Sequence, residues 1–437
     1  MTGTKPETGP GTGPGLMARL RALPRRVRRR LTGAGTEDAA PALRPRRPRS
    51  ALYTLVIPTF DRPGHLDRLL SYLERRGADF PILVLDSSPE PAAGQNAARC
   101  VAAGPAVTRL AYPPDKDPYE KVADGLRAVA TPFVSLCADD DVLLLPALDA
   151  CLAALERQPA LAAAHGTYLN FSENESRIDL EYLVYRGPSI LGADAVARLQ
   201  AQFAAYEAVY YAVMRVQVAR QAFMRTGDMD TTLGRELLTA ALTVAQGEVL
   251  RLPMLYYARS TGQSYSYANW HPHQILARDP AMLFREYARF REILADGIAG
   301  TTRWQGARGD LLVALDMVFL KYMGSFLDPR VLDLIARDRL AGMDAEAVVA
   351  DIWTTFVSNS DRSKHPETPL FPDDGGGFAP DRYRAGAPIH DYVCDVQGPA
   401  GSRRVRLLFE CAFPDLAPPA ILDEAMVRGL LEEIGGY

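Results

Sequence analysis

The stretch PFVSLCADDDVLLLP, Pro132 to Pro146, decides the fold. An apolar run leads into three adjacent aspartates, Asp139, Asp140 and Asp141, and a second apolar run follows them. The first run has the length of a buried strand, and the second opens a helix over Leu145 to Arg157. Carboxylates do not belong inside a core. Their place in the sequence therefore puts them at the mouth of a site, just past a strand's carboxyl end.

The same pattern recurs upstream. YTLVIPTF (53–60) is a short β-rich run ending near Asp61, and an amphipathic helix follows with Leu66, Leu69, Leu70 and Leu73 on one face and Gly77 at its end. FPILVLDSS (80–88) is a second buried strand that ends in Asp86. Asn96–Ala103 fits a helix, VTRLAYP (107–113) a weaker strand, and Tyr119–Val129 a helix that carries Lys121. LAAAHGTYLNF (161–171) is a further strand candidate. Strands alternating with helices imply an α/β fold, a parallel sheet wrapped by helices. Such sheets bind ligands beyond the carboxyl ends of their strands, and Asp61, Asp86 and Asp139–Asp141 converge on that edge.

Later segments read less sharply. Glu236–Gln246 reads as a helix and EVLRLPMLYYARS (248–260) as extended chain. From Ile275 the pattern is mainly helical, with Leu311, Leu315, Val318 and Tyr322 on one face. Residues 359–390 form a long polar loop with GGG at 375–377, VRLLFECAF (405–413) fits a strand, and the last dozen residues fit a helix. The expected division is a basic tail over 1–50, an α/β domain over 51–265, and a mostly helical region over 266–437 with a role in binding or oligomerisation.

Composition narrows the class. Of 437 residues, 48% are hydrophobic and 23% charged, the balance of a soluble globular protein. No apolar run reaches the roughly 18 residues of a membrane span, and no secretory signal is read at the N-terminus. Five cysteines without CxxC spacing suggest reduced thiols and a cytoplasmic setting. Residues 1–50 hold twelve Lys/Arg against three Asp/Glu, +9, which leaves −13 for the rest of a chain whose formal net charge is −4. Leu16, Leu20, Leu23, Val27 and Leu31 recur at helical spacing among seven arginines between Arg19 and Arg30. That pattern suits peripheral contact with an anionic membrane face, whereas Pro24 and the Gly-rich composition suit an unstructured leader. The folded part, at −13, would repel a nucleic-acid backbone.

Hard oxygen ligands after a strand suit Mg²⁺ or Mn²⁺, which takes one or two carboxylates and completes its shell with water and substrate phosphates. The competing reading is an acidic turn that caps the following helix. GxGxxG after the first strand, GxxxxGK[ST] and GxSxG are all missing, against dehydrogenases, P-loop enzymes and α/β-hydrolases.

VIPTFDRP, VLDSS and TPFVSLCADDDVLLLPAL, in that order over residues 52–170, resemble the inverting family-two glycosyltransferases of the GT-A fold, and the ADDD form looks most like a bacterial subgroup. The resemblance implies a nucleotide-sugar donor, with Pro58, Thr59, Asp61 and Arg62 lining the nucleotide pocket. It implies that Asp86 meets a pyrimidine base, that Lys121 faces the nucleotide or diphosphate, and that Asp139 and Asp140 contact ribose and metal, with Asp141 the alternative metal ligand. Ala138 stands where a DxDD spelling has its first aspartate. An inverting transfer also needs a base. GDMDTTLGRELLTAALTVAQGEVLRLP (227–253) resembles the family's base region, which makes Glu236 the best match and Asp228 and Asp230 its rivals. A first-turn Glu that complements a helix dipole is the plainer account of Glu236. His271 and His273 in WHPHQ are candidate metal ligands, and Trp270, Tyr265 and Tyr267 candidate sugar-stacking rings. The implied acceptor is a glycan, lipid carrier, peptide or small metabolite. The rivals are a nucleotidyltransferase on a related sheet and a scaffold of the same fold without turnover.

Overall fold

A computed structural model describes residues 44–173, 177–185, 187–204, 206–261, 280–299, 304, 306–323, 389–398 and 401–410. Residues 1–43 of the basic leader, the 262–279 segment with His271 and His273, and the 359–388 loop lie outside them, whereas the end of the leader is described and Arg49 pairs with Asp149 at 2.7 Å.

The core is a mixed sheet. Strands β1 (Tyr53–Thr59), β2 (Ile82–Asp86), β3 (Val107–Ala111) and β4 (Phe133–Leu136) are parallel, in the order β4-β1-β2-β3. The helices between them are α1 (Pro63–Arg75), α2 (Ala92–Ala102) and α3 (Pro118–Ala128). Successive residues of the strands point to opposite faces, and both faces of β1, β2 and β4 are buried, whereas the edge strand β3 is partly exposed. Leu55, Ile57, Ile82 and Val84 join one apolar core, and Val56, Leu83 and Leu85 join the other. This is why these strands read as continuous apolar runs and do not alternate with polar residues.

Beyond β4 the sheet stops being parallel. The two-residue β5 (Val142–Leu143) pairs antiparallel with β9 (Glu248–Ser260), and α4 (Leu145–Arg157) leads into β6 (Leu161–Glu173). β7 (Arg177–Val184) turns back against β6, and β8 (Val213–Arg215) wedges antiparallel between β4 and β6. β9 runs parallel to β6 with register shifts near Leu161, His165 and Thr167. β10 (Ile389–Gly398) and β11 (Gly401–Glu410) form a hairpin that adds to β7. The wholly parallel sheet expected from the sequence is thus extended by antiparallel strands. β5 and β8 are too short for a periodic signal to mark them.

The second half packs on one face. α5 (Ala195–Ala204), α6 (Val216–Met224), α7 (Thr232–Gln246), α8 (Pro280–Ala299) and α9 (Arg308–Met323) enter the core that also holds Val56 and Leu85. Leu311, Leu315, Val318, Phe319 and Tyr322 are the buried face of α9. α7 starts a turn earlier than its apolar periodicity suggests, because Thr231 caps it and accepts the Gly234 amide at 2.9 Å. Its carboxyl end is held by buried Arg198, which donates to the carbonyls of Val244 at 2.8 Å and Ala245 at 2.9 Å. Among the described residues no helix is long and apolar enough to cross a membrane.

The β6–β9 register shift depends on Gly166. A Cβ there would lie 2.2 Å from the Met254 carbonyl oxygen, which is backbone and cannot swing aside. Gly166→Ala is therefore expected to cost about 1–3 kcal/mol, read as a lowered thermal midpoint. An unchanged midpoint would show that the two strands slide freely.

Candidate functional site

The site lies where the strand order reverses. From β1 the chain steps outward to β2 and β3, and α3 then carries it back to β4 on β1's other side. In open α/β sheets the crevice at such a reversal, outside the carboxyl ends, is where ligands bind. The segment after β4 crosses this crevice. The Cys137 amide donates to the Val56 carbonyl at 2.9 Å, and the chain then turns through Ala138–Asp141.

The carboxylates stand at this edge, yet they are sealed from solvent. Asp139, Asp140 and Asp141 are 3%, 6% and 2% exposed. They are buried at this strand edge, deeper than the mouth their position in the sequence suggests. Nor do they cap α4, whose N-cap is Leu144 with no side-chain cap. Each has its own partner. Thr59 Oγ1 donates to Asp139 Oδ2 at 2.6 Å. Arg62 Nη1 donates to Asp140 Oδ2 at 2.9 Å and lies 3.5 Å from Asp139 Oδ1. Asp141 turns the other way, where it accepts the Tyr257 hydroxyl at 2.8 Å and the Ser260 amide at 2.7 Å, both from β9. Burial, reinforced by the charge of Asp140, pushes Asp139 up to about 6, against the Thr59 hydrogen bond. Burial pushes Asp141 well above the usual carboxylate range, with Asp140 adding to it.

Lys121 is the second cation. It is 3% exposed, and its ammonium donates to the Thr59 carbonyl at 2.9 Å and to Ser87 Oγ at 2.8 Å. Burial lowers its pKa to about 8, while the charges of Asp86 and Asp139 hold it up. It projects from the first turn of α3, whose amino-terminal dipole is also positive toward this edge. Asp86 is buried at the end of β2, with the Ser88 amide on one oxygen and Arg109 Nε on the other, each at 2.8 Å. Ser88 Oγ in turn accepts the amide of Asp61, an exposed residue held at φ +53°. Asp tolerates that conformation better than most residues. Pro58 is half-buried in β1.

The structure thus gathers Thr59, Arg62, Lys121, Asp139 and Asp140 at one point. It places Asp86 beside them and points Asp141 toward β9. Two like-charged carboxylates share one cation, Arg62. That donor set suits a magnesium-type ion, which needs only one or two protein carboxylates. Among the described residues no group of three or more His, Cys, Asp or Glu is placed to hold a metal.

The acidic residues of the second half separate clearly. Asp228 and Asp230 lie on the turn before α7, about half exposed, and pair with Arg225 at 2.7 Å and Arg289 at 2.6 Å. Glu236 lies beyond α7's first turn, so the dipole account does not describe it. It is half-buried, and Tyr206 donates to its Oε1 at 3.0 Å. Burial raises Tyr206 and Tyr119 well above the ordinary phenol range, and the Glu236 charge pushes both further. Both phenols therefore stay protonated beside that carboxylate. The neighbouring Arg235 reaches the Asp117 carboxylate that caps α3, donates to the Met229 carbonyl at 2.9 Å, and lies over the Tyr119 ring. The start of α7 is thereby tied to the start of α3, which carries Lys121. From α8, buried Glu286 accepts the Asp230 amide at 2.7 Å and the Thr231 hydroxyl at 2.7 Å, fixing the same turn.

Sequence reasoning did not reach Arg109, Ser87, Ser88, Tyr206, Arg235, Tyr257, Ser260 or Glu286. Ser87 and Ser88 fall inside the VLDSS segment and were within reach. The others act across long sequence separations, and no local pattern marks them.

No family model matches the chain, and no curated protein matches it in sequence. Solved structures that resemble it include S. aureus TarS 1–349 in complex with UDP-GlcNAc, at 13% identity over 68% of this chain and 79% of that one, with a TM-score of 0.44. Another is the mannosyltransferase PcManGT from Pyrobaculum calidifontis in complex with GDP-Man and Mn²⁺, at 13% identity over 77% and 92%, with a TM-score of 0.36. Likeness at this level decides neither activity nor ligand, which rest on the side chains themselves.

Two measurements probe the site. The first exploits the depressed Lys121. Its contribution to stability is complete above its unfolded value near 10.5 and is lost as pH falls through about 8. The thermal midpoint of the wild type should therefore rise relative to Lys121→Met as pH increases from about 8 to about 10.5. Curves that stay parallel would mean an ordinary, solvated lysine. The second concerns Tyr257, whose hydroxyl serves Asp141 and also accepts the Ala138 amide at 3.1 Å. Tyr257→Phe leaves both buried groups without that partner and is expected to cost at least about 1–3 kcal/mol, measured by denaturant unfolding.

Proposed function

We propose that this chain is a metal-dependent glycosyltransferase that moves a sugar, with inversion, from a nucleotide-diphosphate sugar, read as a UDP-sugar, to an acceptor hydroxyl. The observation that carries the reading is the convergence of two cations, Arg62 and Lys121, with two buried carboxylates, Asp139 and Asp140, at the strand-order reversal. Buried fixed charge is costly, and a charged ligand is what such a cluster is suited to meet.

Roles follow from position. Arg62 binds the diphosphate and orients its bond to the sugar, while buried Thr59 and Lys121 support it from behind, Lys121 as a fixed positive charge facing the diphosphate. Asp86 addresses the base, exchanging its ion pair with Arg109 as it does so, and Asp61 and Pro58 border the same pocket. Asp139 and Asp140 would hold Mg²⁺ or Mn²⁺. Bound there, the ion offsets negative charge on the departing diphosphate. Asp141 anchors the acidic turn to β9 through Tyr257 and Ser260 and so fixes its two neighbours. His271 and His273 remain candidates to complete the coordination.

Glu236 is the assigned base. It takes the proton of the acceptor hydroxyl as that oxygen attacks the anomeric carbon, while the bond from that carbon to the diphosphate oxygen breaks. The Tyr206 hydrogen bond orients its carboxylate, and the Arg235–Asp117 tie keeps it in register with Lys121. Asp228 and Asp230, held by arginines at the surface, are the weaker choices.

Titration calorimetry of UDP and GDP, with and without Mn²⁺, tests the donor site. Binding of one nucleotide that needs the metal, and that Asp140→Asn loses, is the expected result. Failure of both nucleotides under both conditions would overturn the reading and favour a scaffold. Given a turnover assay, Glu236→Gln should lower kcat by about 10²–10⁴-fold with nucleotide affinity retained. Full turnover in that variant would remove Glu236 as the base.

A further inference from the structure

We infer that Arg62 closes the Asp139–Asp140 pair to a divalent cation until a nucleotide diphosphate draws its guanidinium away. The inference rests on the donor-site reading above and assigns Arg62 a role in the order of binding.

The geometry is that of a plug. Arg62 Nη1 faces both carboxylates, at 2.9 Å from Asp140 and 3.5 Å from Asp139, the position a shared cation would take. Its side chain is 18% exposed, whereas those of Asp139 and Asp140 are 4% and 9% exposed. The Arg62 side chain is therefore the most exposed of the three and the one an incoming ligand reaches most readily. A guanidinium cannot be neutralised by losing its proton at any physiological pH. A magnesium ion must approach its oxygens to about 2.0–2.1 Å. It would compete with Arg62 for Asp140 Oδ2 and be repelled by it at that distance.

Lys121 is differently placed. It is sealed below the pair and held by Thr59 and Ser87, so it stays as a fixed charge. Arg62 stands at the start of α1, directly after Asp61 in its left-handed conformation, on the rim of the crevice. A diphosphate entering there offers the planar fork of arginine a bidentate partner of higher charge than one carboxylate. Once Arg62 turns to it, Asp140 and Asp139 are open to the metal. Diphosphate and metal then reinforce one another, and by linkage each must raise the other's affinity by the same factor.

The test is calorimetric titration of Mn²⁺ into the full chain, as wild type and as Arg62→Gln, alone and with saturating UDP or GDP. Without nucleotide, Arg62→Gln should bind Mn²⁺ at least about tenfold more tightly than wild type, within the usual range of coupling between sites. The gain should vanish in Arg62→Gln/Asp140→Asn. The nucleotide should tighten Mn²⁺ binding to wild type and do so much less in Arg62→Gln. Equal or weaker Mn²⁺ binding by nucleotide-free Arg62→Gln, with metal-dependent nucleotide binding intact in wild type, overturns the plug and leaves the donor site standing. If no protein binds Mn²⁺ with or without either nucleotide, the metal site falls and the plug with it. Circular dichroism of each variant ensures that a lost signal reflects the site and not an unfolded chain.

Discussion

Charge buried at the end of parallel strands is the constraint on which the rest of this structure depends. Asp86, Asp139, Asp140 and Asp141 all lie where water barely reaches. A carboxylate in such surroundings is costly unless hydrogen-bonded or paired. The chain meets the cost with groups drawn from far apart: Thr59 from β1, Arg62 from the start of α1, Arg109 from β3, Lys121 from α3, and Tyr257 and Ser260 from β9. Buried ion pairs seldom stabilise a fold better than apolar packing would. Their presence at this edge is what the donor-site proposal rests on.

The second half of the chain is tied to the helix that carries Lys121. α7 does not merely cover the sheet. Its first turns are fixed by Thr231, by Glu286 from α8 and by Arg235 reaching across to the cap of α3. Those ties hold Glu236 against Tyr206 and close to Tyr119 on the helix that also carries Lys121. Precision of this kind suits a residue that must act on one side of a bond while the opposite charge is held on the other side. α8 and α9 share a core with β1 and β2, through Phe290, Leu294, Leu315 and Phe319.

Much of the fold was legible in sequence because it was written in local periodicity. Leu55 and Ile57 against Val56, and Val84 against Leu83 and Leu85, announce strands buried on both faces. Leu66, Leu69, Leu70 and Leu73 announce the helix between them. The acidic turn after β4 was legible because three adjacent aspartates after an apolar strand are rare. Its depth was not, because burial depends on what crosses above it. β9 closes over Asp141 from more than a hundred residues away, and Arg62 covers Asp139 and Asp140.

The sequence by itself determined the order of strands and helices from β1 to β6 apart from the short β5, the position of each carboxylate at or just past a strand end, and the residue types able to meet a charged ligand. These follow from dihedral and hydrophobic periodicities that a chain carries along its own length. Only the tertiary structure decided which of three adjacent aspartates faces the crevice and which faces β9, that Arg62 bridges two of them, and that Arg235 joins α7 to α3. Successive side chains in a turn point in different directions. Their partners are set by which distant strands and helices come to lie beside them, and that is fixed when the sheet closes.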